Sequence, residues 1–438
     1  MRTLIISTFL VLNLLLNVAS ILAQRSDKLK QQANALAAQY EPGVIEWRHH
    51  LHQYPELSNR EIKTASFIAE KLESFGLEVR TGIAHTGVVG ILKGGKPGPV
   101  IGLRADMDAL PVKERVPIQW ASKEVTEYNG ELVGVMHACG HDNHMSILLG
   151  AARVLSEIRD ELKGTIKFIF QPAEEGAPEG EEGGAELMVK EGVLKNPDVE
   201  VIFGLHIFSD LETGKIKYKP GGTMAAANSF SIKVLGKQSH GARPWMGIDP
   251  IVTSAMIING LQTTVSRQAD LTKEGAVVTI GSIHGGVRSN IIPEQVEMIG
   301  TIRTLDDEMR EKIFKDIERT ATMIASSQGA TAEVKINKGY PVTYNDPQLT
   351  TLMLPSLESA AGKENVLLTN AKTGAEDFSF YQKEIPGLFF FLGGMPKGMD
   401  PKEAFPHHTP DFFVTDESMI TGIKAFCYLV IDYPEVRK

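Results

Sequence analysis

The chain has 438 residues but only two cysteines, Cys139 and Cys427, so a disulfide framework is excluded. It also lacks a basic excess: 45 Lys plus Arg stand against 54 Asp plus Glu, a formal net charge of -9. That balance argues against nucleic acid as a partner, since nucleic-acid binders carry a basic footprint. There is no internal repeat and no low-complexity tract. Hydrophobic residues at 42% and charged residues at 23% are ordinary for a globular protein and exclude extended disorder and collagen-like classes. No Gly-x-Ser-x-Gly elbow is present, which removes the usual signature of a nucleophilic hydrolase. Beyond the N-terminus no segment is long and apolar enough to span a bilayer.

The N-terminus reads MRTLIISTFLVLNLLLNVASILAQ. One Arg, a long apolar run and small residues at its end have the shape of a secretory signal peptide, with cleavage after Ser20 or Ala23. An uncleaved membrane anchor is the alternative, because the run approaches a spanning length. The early Arg and the small residues favour a leader over 1–23 and a mature protein that is soluble and exported, to the periplasm or outside the cell.

A length of 438 residues exceeds one compact core, so two domains are expected, or one with an insertion. Residues 27–40 have a helical face of Leu29, Ala33 and Leu36, and two helical patterns follow between Pro42 and Gly76, broken near Pro55. Strand-like runs then alternate with helices: Val88–Leu92, Val100–Arg104, Thr165–Phe170 and Val201–Leu205 as strands, Asn143–Ile158 and Glu186–Glu191 as helical segments. Nearly continuous apolar strands alternating with helices imply an α/β fold with a mostly parallel sheet covered on both faces. From Asn228 the order is strand, helix, strand, strand, helix, strand, ending at Ile336. That is the ferredoxin-like βαββαβ motif, complete within about 110 residues, a size that suits a small domain. The expected layout is therefore a first domain made of 24–224 and 339–438, resumed by the buried run GLFFFL at 387–392, with 225–338 inserted.

In an open parallel sheet, ligands sit outside the carboxyl ends of the strands. Asp106 and Asp108 follow one strand, Glu174 and Glu175 a second and His206 a third, while MHACGHDN (136–143) leads into a helix with His137, Cys139, His141 and Asp142. Four segments thus bring carboxylates, imidazoles and a thiol toward one edge. These are metal-ligand types; a thiolate suits zinc, and the carboxylates also suit manganese. Cys139 alone would read as a small buried hydrophobe, but His141 stands two residues away with Gly140 between them to allow a bend. Glu174 and Glu175, neighbours in extended backbone, would point opposite ways, one to a metal and one to a substrate. A carboxylate beside metal-activated water serves as general base and then general acid. The acidic run Glu179, Glu181, Glu182 reads as solvated. His206 alone would read as structural. One of His407 and His408 is a candidate final ligand. In the insertion, His240, Asn290 and Arg303 could offer donors to a substrate carboxylate or an oxyanion, whereas Asp249 before Pro250 reads as a helix N-cap.

The run of motifs resembles the M20 metallopeptidase family, and specifically its amidohydrolase branch of hippurate hydrolases, N-acyl-amino-acid amidohydrolases and plant auxin-conjugate hydrolases. The matching pieces are RHHLHQYPELS (48–58), RADMDALPV (104–112), MHACGHD (136–142), QPAEEG (171–176), GLHI (204–207), SHGARP (239–244), SNIIP (289–293), GAEDF (374–378) and HHTPDF (407–412). They stand in the family's order over nearly the whole mature chain. The resemblance implies two divalent metal ions, Mn2+ or Zn2+, held by Cys139, His141, Glu175, His206 and His408. It implies Glu174 as the general base and His240 as the oxyanion donor, with Asn290 and Arg303 contacting substrate. Where peptidase branches carry a His this chain has Asp106, so Asp106, Asp108 and Asp142 are given the task of orienting ligand imidazoles. The insertion corresponds to the family's lid and dimerisation domain, which makes a homodimer a partner to expect. The implied activity is hydrolysis of the amide of small N-acyl amino acids or related conjugates. A dipeptidase or aminoacylase of the same superfamily is the nearest alternative, and an inactive ligand-binding relative the one from another class. The export signal departs from the many cytosolic relatives.

Overall fold

The computed structural model describes the chain from Arg2 to Arg437, with side chains from Arg25 onward. It divides into two compact units. The first comprises Met1–Pro220, Asn345–Thr369 and Tyr381–Lys438, and the second Gly221–Tyr344 with Asn370–Phe380. The second unit is thus wider than the expected 225–338, and the expected return to the first domain over 339–438 is interrupted at 370–380. Hydrogen bonds explain the difference: Ala225 N–H donates to the carbonyls of Lys372 (3.0 Å) and Gly374 (2.9 Å), and the Thr343 side chain donates from Oγ1 to the carbonyl of Glu376 at 3.1 Å. Partners so far apart in the chain leave no local pattern to read.

The first unit is built on an eight-stranded sheet. Its centre is four parallel strands in the spatial order Lys163–Gln171, Lys96–Asp106, Val201–Glu212 and Gly387–Met395. Gly87–Lys93 and Glu78–Ile83 extend one side antiparallel. Alternation along the strands sorts the side chains. Ile101, Leu103, Ala105, Ile166, Phe168, Phe170, Val201, Phe203 and Leu205 enter one large core with the helices Arg2–Gln53, His141–Glu157 and Met419–Val436. Burying each such side chain contributes about 1.5–3 kcal/mol. The intervening residues Arg104, Asp106, Lys167, Gln171 and His206 occupy the opposite face, where polar groups collect.

The first helix is one element, Arg2–Gln53, with Pro42 inside it, rather than separate patterns meeting at Pro42. Ala33, Ala37, Val44, Arg48 and Leu51 form its buried stripe, and that packing outweighs the backbone hydrogen bond that proline removes. The expected leader over 1–23 lies outside the residues whose side chains are described. No helix among the described residues is long and apolar enough to cross a membrane.

The second unit has four antiparallel strands in the order Ala276–Gly285, Gln295–Thr304, Ala226–Leu235, Thr331–Lys338, with the helices Pro250–Thr263 and Asp307–Ser327. This is the ferredoxin-like order. Asp249 caps the first helix, accepting from Ile251 N–H and Val252 N–H at 2.8 and 3.2 Å.

Candidate metal centre

The site of the first unit starts where Lys96–Asp106 ends. Arg104 is fully buried, donating from Nη1 to Asp106 Oδ2 at 2.7 Å and from Nε to Gln171 Oε1 at 2.8 Å. The other oxygen of Asp106 lies 2.6 Å from His144 Nδ1. His144 Nε2 in turn accepts from Ile207 N–H at 2.8 Å, so both nitrogens of His144 are committed to the scaffold. Burial opposes ionisation of Asp106, but His141, His144 and Arg104 together hold it well below the usual carboxylate range.

Cys139 and His141 flank Gly140 at the start of the helix His141–Glu157. Gly140 has φ +89°, and a Cβ there would stand 2.4 Å from Ile207 Cγ2, so only glycine fits this bend. His141 Nδ1 lies 2.8 Å from the carbonyl oxygen of Asp108. A carbonyl only accepts, so Nδ1 carries a proton, and Nε2 is the nitrogen left to face a cation. That Nε2 is buried without a hydrogen-bond partner and is 3.9 Å from Glu174 Oε2 and 3.9 Å from Glu175 Oε1.

Glu174 and Glu175 do not diverge as neighbours in extended backbone would; both converge on His141. The reason is a turn: Ala173 has φ +53° and Gly176 φ +108°, so strand geometry ends at Gln171. Glu175 N–H donates to Asp108 Oδ2 at 3.0 Å, an oxygen that also accepts from Ser58 Oγ at 2.7 Å.

His206 Nδ1 faces the carbonyl oxygen of Ile207 at 2.7 Å, which turns the lone pair of Nε2 to Cys139 Sγ at 3.4 Å. Burial, then His144 and His407, keep His206 well below the ordinary histidine range and therefore neutral. Of the two C-terminal histidines, His408 places Nε2 3.2 Å from Glu175 Oε1, whereas His407 Nε2 lies 3.0 Å from the Ile207 carbonyl oxygen.

Within each of several sets the ligand atoms lie within 4.8 Å of one another, among them Cys139, His141 and His206; Cys139, Glu175 and His408; and His141, Glu174 and Glu175. Shared members join them into one cluster. Its chemistry fits cations. Burial pushes the His141 ring toward neutrality, yet Asp106, Asp108 and Glu175 outweigh it and raise its pKa to about 10. Burial and the carboxylates of Glu175 and Glu174 push the Cys139 thiol up. A divalent ion supplies the positive charge this field calls for and stabilises the thiolate.

Asp142 departs from its expected task. It orients no candidate ligand; it accepts from Arg48 Nε at 3.0 Å and faces His52 Nδ1 at 3.1 Å. It sits in the first turn of its helix on the side packed against Arg2–Gln53, so its partners come from that helix. Burial opposes its charge, but Arg48 and His52 hold it well below the usual range. His52 Nε2 also faces Glu114 Oε1 at 3.1 Å, and Arg48 ties in Asp416 and the Val414 carbonyl. Sequence reasoning missed this buried network. The available signal was Arg48 lying among Val44 and Leu51 on the helix's buried stripe, a place where charges need partners.

His240, Asn290 and Arg303 belong to the second unit. His240 pairs with Ile291, and Gly241 N–H donates to the Asn290 carbonyl at 2.8 Å, so His240 and Asn290 are neighbours. His240 Nδ1 accepts from Ala242 N–H at 3.0 Å, which leaves the proton on Nε2. Arg303 is not with them; it lies in Gln295–Thr304, where Nη1 donates to Thr301 Oγ1 at 2.6 Å.

Residues 102–432 match Peptidase family M20/M25/M40. The chain is 41% identical over 316 residues to the N-acyl-L-amino acid amidohydrolase of Geobacillus stearothermophilus, covering 72% of this chain and 81% of that one. It is 39% identical to thermostable carboxypeptidase 1 of Saccharolobus solfataricus, covering 93% and 98%. Among solved structures, the Bacillus subtilis YXEP protein, described as a dinuclear metal binding peptidase, aligns with a TM-score of 0.75 and 35% identity, covering 91% of this chain and 99% of that one. Ordered motifs, sheet and donor cluster agree with these matches: the chain belongs to peptidase family M20/M25/M40.

Proposed function

We propose that this protein is a two-metal amidohydrolase that cleaves the amide bond of N-acyl amino acids. The observation that carries the reading is the convergence of Glu174 and Glu175 on His141 Nε2, at 3.9 Å each, beside Cys139, His206 and His408. Cys139, His141, Glu175, His206 and His408 are the residues that would hold two divalent ions, Zn2+ or Mn2+. When bound, such ions polarise the scissile carbonyl and bring the pKa of water toward neutrality.

Glu174, only 6% exposed, takes the proton of the attacking water and later delivers it to the leaving amine. We assign His240 the role of oxyanion donor through Nε2–H and its neighbour Asn290 a substrate-binding role; Arg303, which lies apart from that pair, keeps only the substrate contact that the family resemblance implies. Asp108 fixes His141 through its carbonyl and the Glu175 amide through its carboxylate. The leader motif supports export, and the ferredoxin-like unit is the surface we assign to a homodimer.

Metal analysis combined with a screen of acylated amino acids and unblocked dipeptides tests the reading. Turnover of hippurate-like conjugates over dipeptides is expected, and the reverse preference would make the protein a dipeptidase. A metal-replete enzyme inert on both would be an inactive ligand-binding relative. A Glu174→Gln variant that retained both metal and full turnover would remove the base assignment.

A further inference from the structure

We propose that Glu61 is a positioning residue for the Glu174–Glu175 turn: its carboxylate clamps the amide of Ala173 and so sets where both acidic side chains point. The inference rests on reading Glu174 as the base and Glu175 as a ligand. Glu61 is completely buried, at 0% exposure. Its Oε1 accepts from Ala173 N–H at 2.9 Å and its Oε2 from Thr86 Oγ1 at 2.6 Å. Burying a carboxylate is costly unless its oxygens accept hydrogen bonds, and these two bonds offset part of that cost.

Glu61 occupies the position before the helix Ile62–Ser74, where a side chain normally caps the helix, yet it makes no capping bond. Glu56 does that work, accepting from Lys63 N–H at 3.2 Å and Thr64 N–H at 2.8 Å. Glu61 is thereby free to reach across to the turn. Ala173 adopts φ +53°, a left-handed conformation that an alanine does not take by preference. Two residues on, Glu175 N–H is held by Asp108 Oδ2 at 3.0 Å. Two buried carboxylates from different elements thus grip the amides on either side of Glu174. Releasing the first lets Ala173 return to ordinary backbone and swings both acidic side chains away from His141.

The test uses the full chain carrying Glu61→Ala, Glu61→Gln, or Glu61→Ala together with Ala173→Gly. Each is stripped by chelation, titrated with Zn2+ and Mn2+, and assayed for kcat and KM on an N-acyl amino acid. Glu61→Ala is expected to lose roughly 10–100-fold in metal affinity or kcat, with KM little changed. Glu61→Gln should stay within a few-fold, because the amide oxygen still accepts from Ala173. Adding Ala173→Gly should recover part of the loss, since glycine takes a positive φ freely.

A Glu61→Ala protein with wild-type metal affinity and kcat would overturn the inference. So would a loss as large in Glu61→Gln, or one that Ala173→Gly leaves untouched. Should Glu61→Ala fail to fold, Glu61→Met fills the volume without an acceptor and serves the same comparison. If the wild-type protein itself binds neither metal, the functional reading fails and this inference falls with it.

Discussion

Arg48 Nε and Asp142 Oδ2 meet at 3.0 Å across 94 positions of sequence, with side-chain exposures of 2% and 1%. The pair joins the first helix to the helix that opens with His141, and Arg48 continues to Asp416 and Val414 near the C-terminus. Removing one partner strands a buried charge. Arg48→Met is expected to cost about 3–5 kcal/mol, measured by urea unfolding. Adding Asp142→Asn should return part of that loss, because the uncompensated charge is then gone.

The same network predicts how stability depends on pH. Burial lowers the pKa of His52, but Asp142 and Glu114 outweigh it and raise it to about 9. A histidine raised on folding contributes stability that is fully present below its unfolded value near 6.5 and is lost as pH climbs through 9. The shift corresponds to about 3 kcal/mol. Unfolding measured from pH 6 to pH 10 should show this loss in the wild-type protein and a flatter profile in His52→Asn.

Gly140→Ala should be severe for a protein of this size. The left-handed backbone costs about 1–2 kcal/mol for an alanine, and the new Cβ would meet Ile207 Cγ2 at 2.4 Å. We expect a lower melting temperature and reduced metal content, because the bend sets Cys139 against His141. Ile207→Ala in the same chain should relieve the clash and leave the backbone cost.

Metal should stabilise the folded state by mass action. At a free concentration 100-fold above Kd the gain is about 2.7 kcal/mol. Melting after chelation and after readdition of Zn2+ or Mn2+ should show an upward shift in wild-type protein. Cys139→Ala and His206→Ala should reduce it, and activity should vanish on chelation and return with metal.

Much of the fold was legible because its signals are local. Thr165–Phe170 and Val201–Leu205 announce buried parallel strands by composition, and the strand-helix order after Asn228 names the ferredoxin-like motif. Both are read from neighbours in sequence. The polar residues just past those strands were legible for the same reason, since a strand's end locates its chemistry. The segment 370–380 was not, because it joins the second unit through Ala225 and Thr343, which nothing nearby foretells.

The sequence by itself determined the family, the layered architecture and which side chains could meet at one edge of the sheet, because side-chain alternation and motif order are properties of the chain alone. Only the tertiary structure decided how those side chains are aimed. Glu174 and Glu175 converge because Glu61, 112 positions from Ala173, and Asp108 hold the turn, and Asp142 serves Arg48 and His52 because two helices pack there. Such orientations depend on hydrogen bonds between distant segments, whose energy exists only once the core has brought them together.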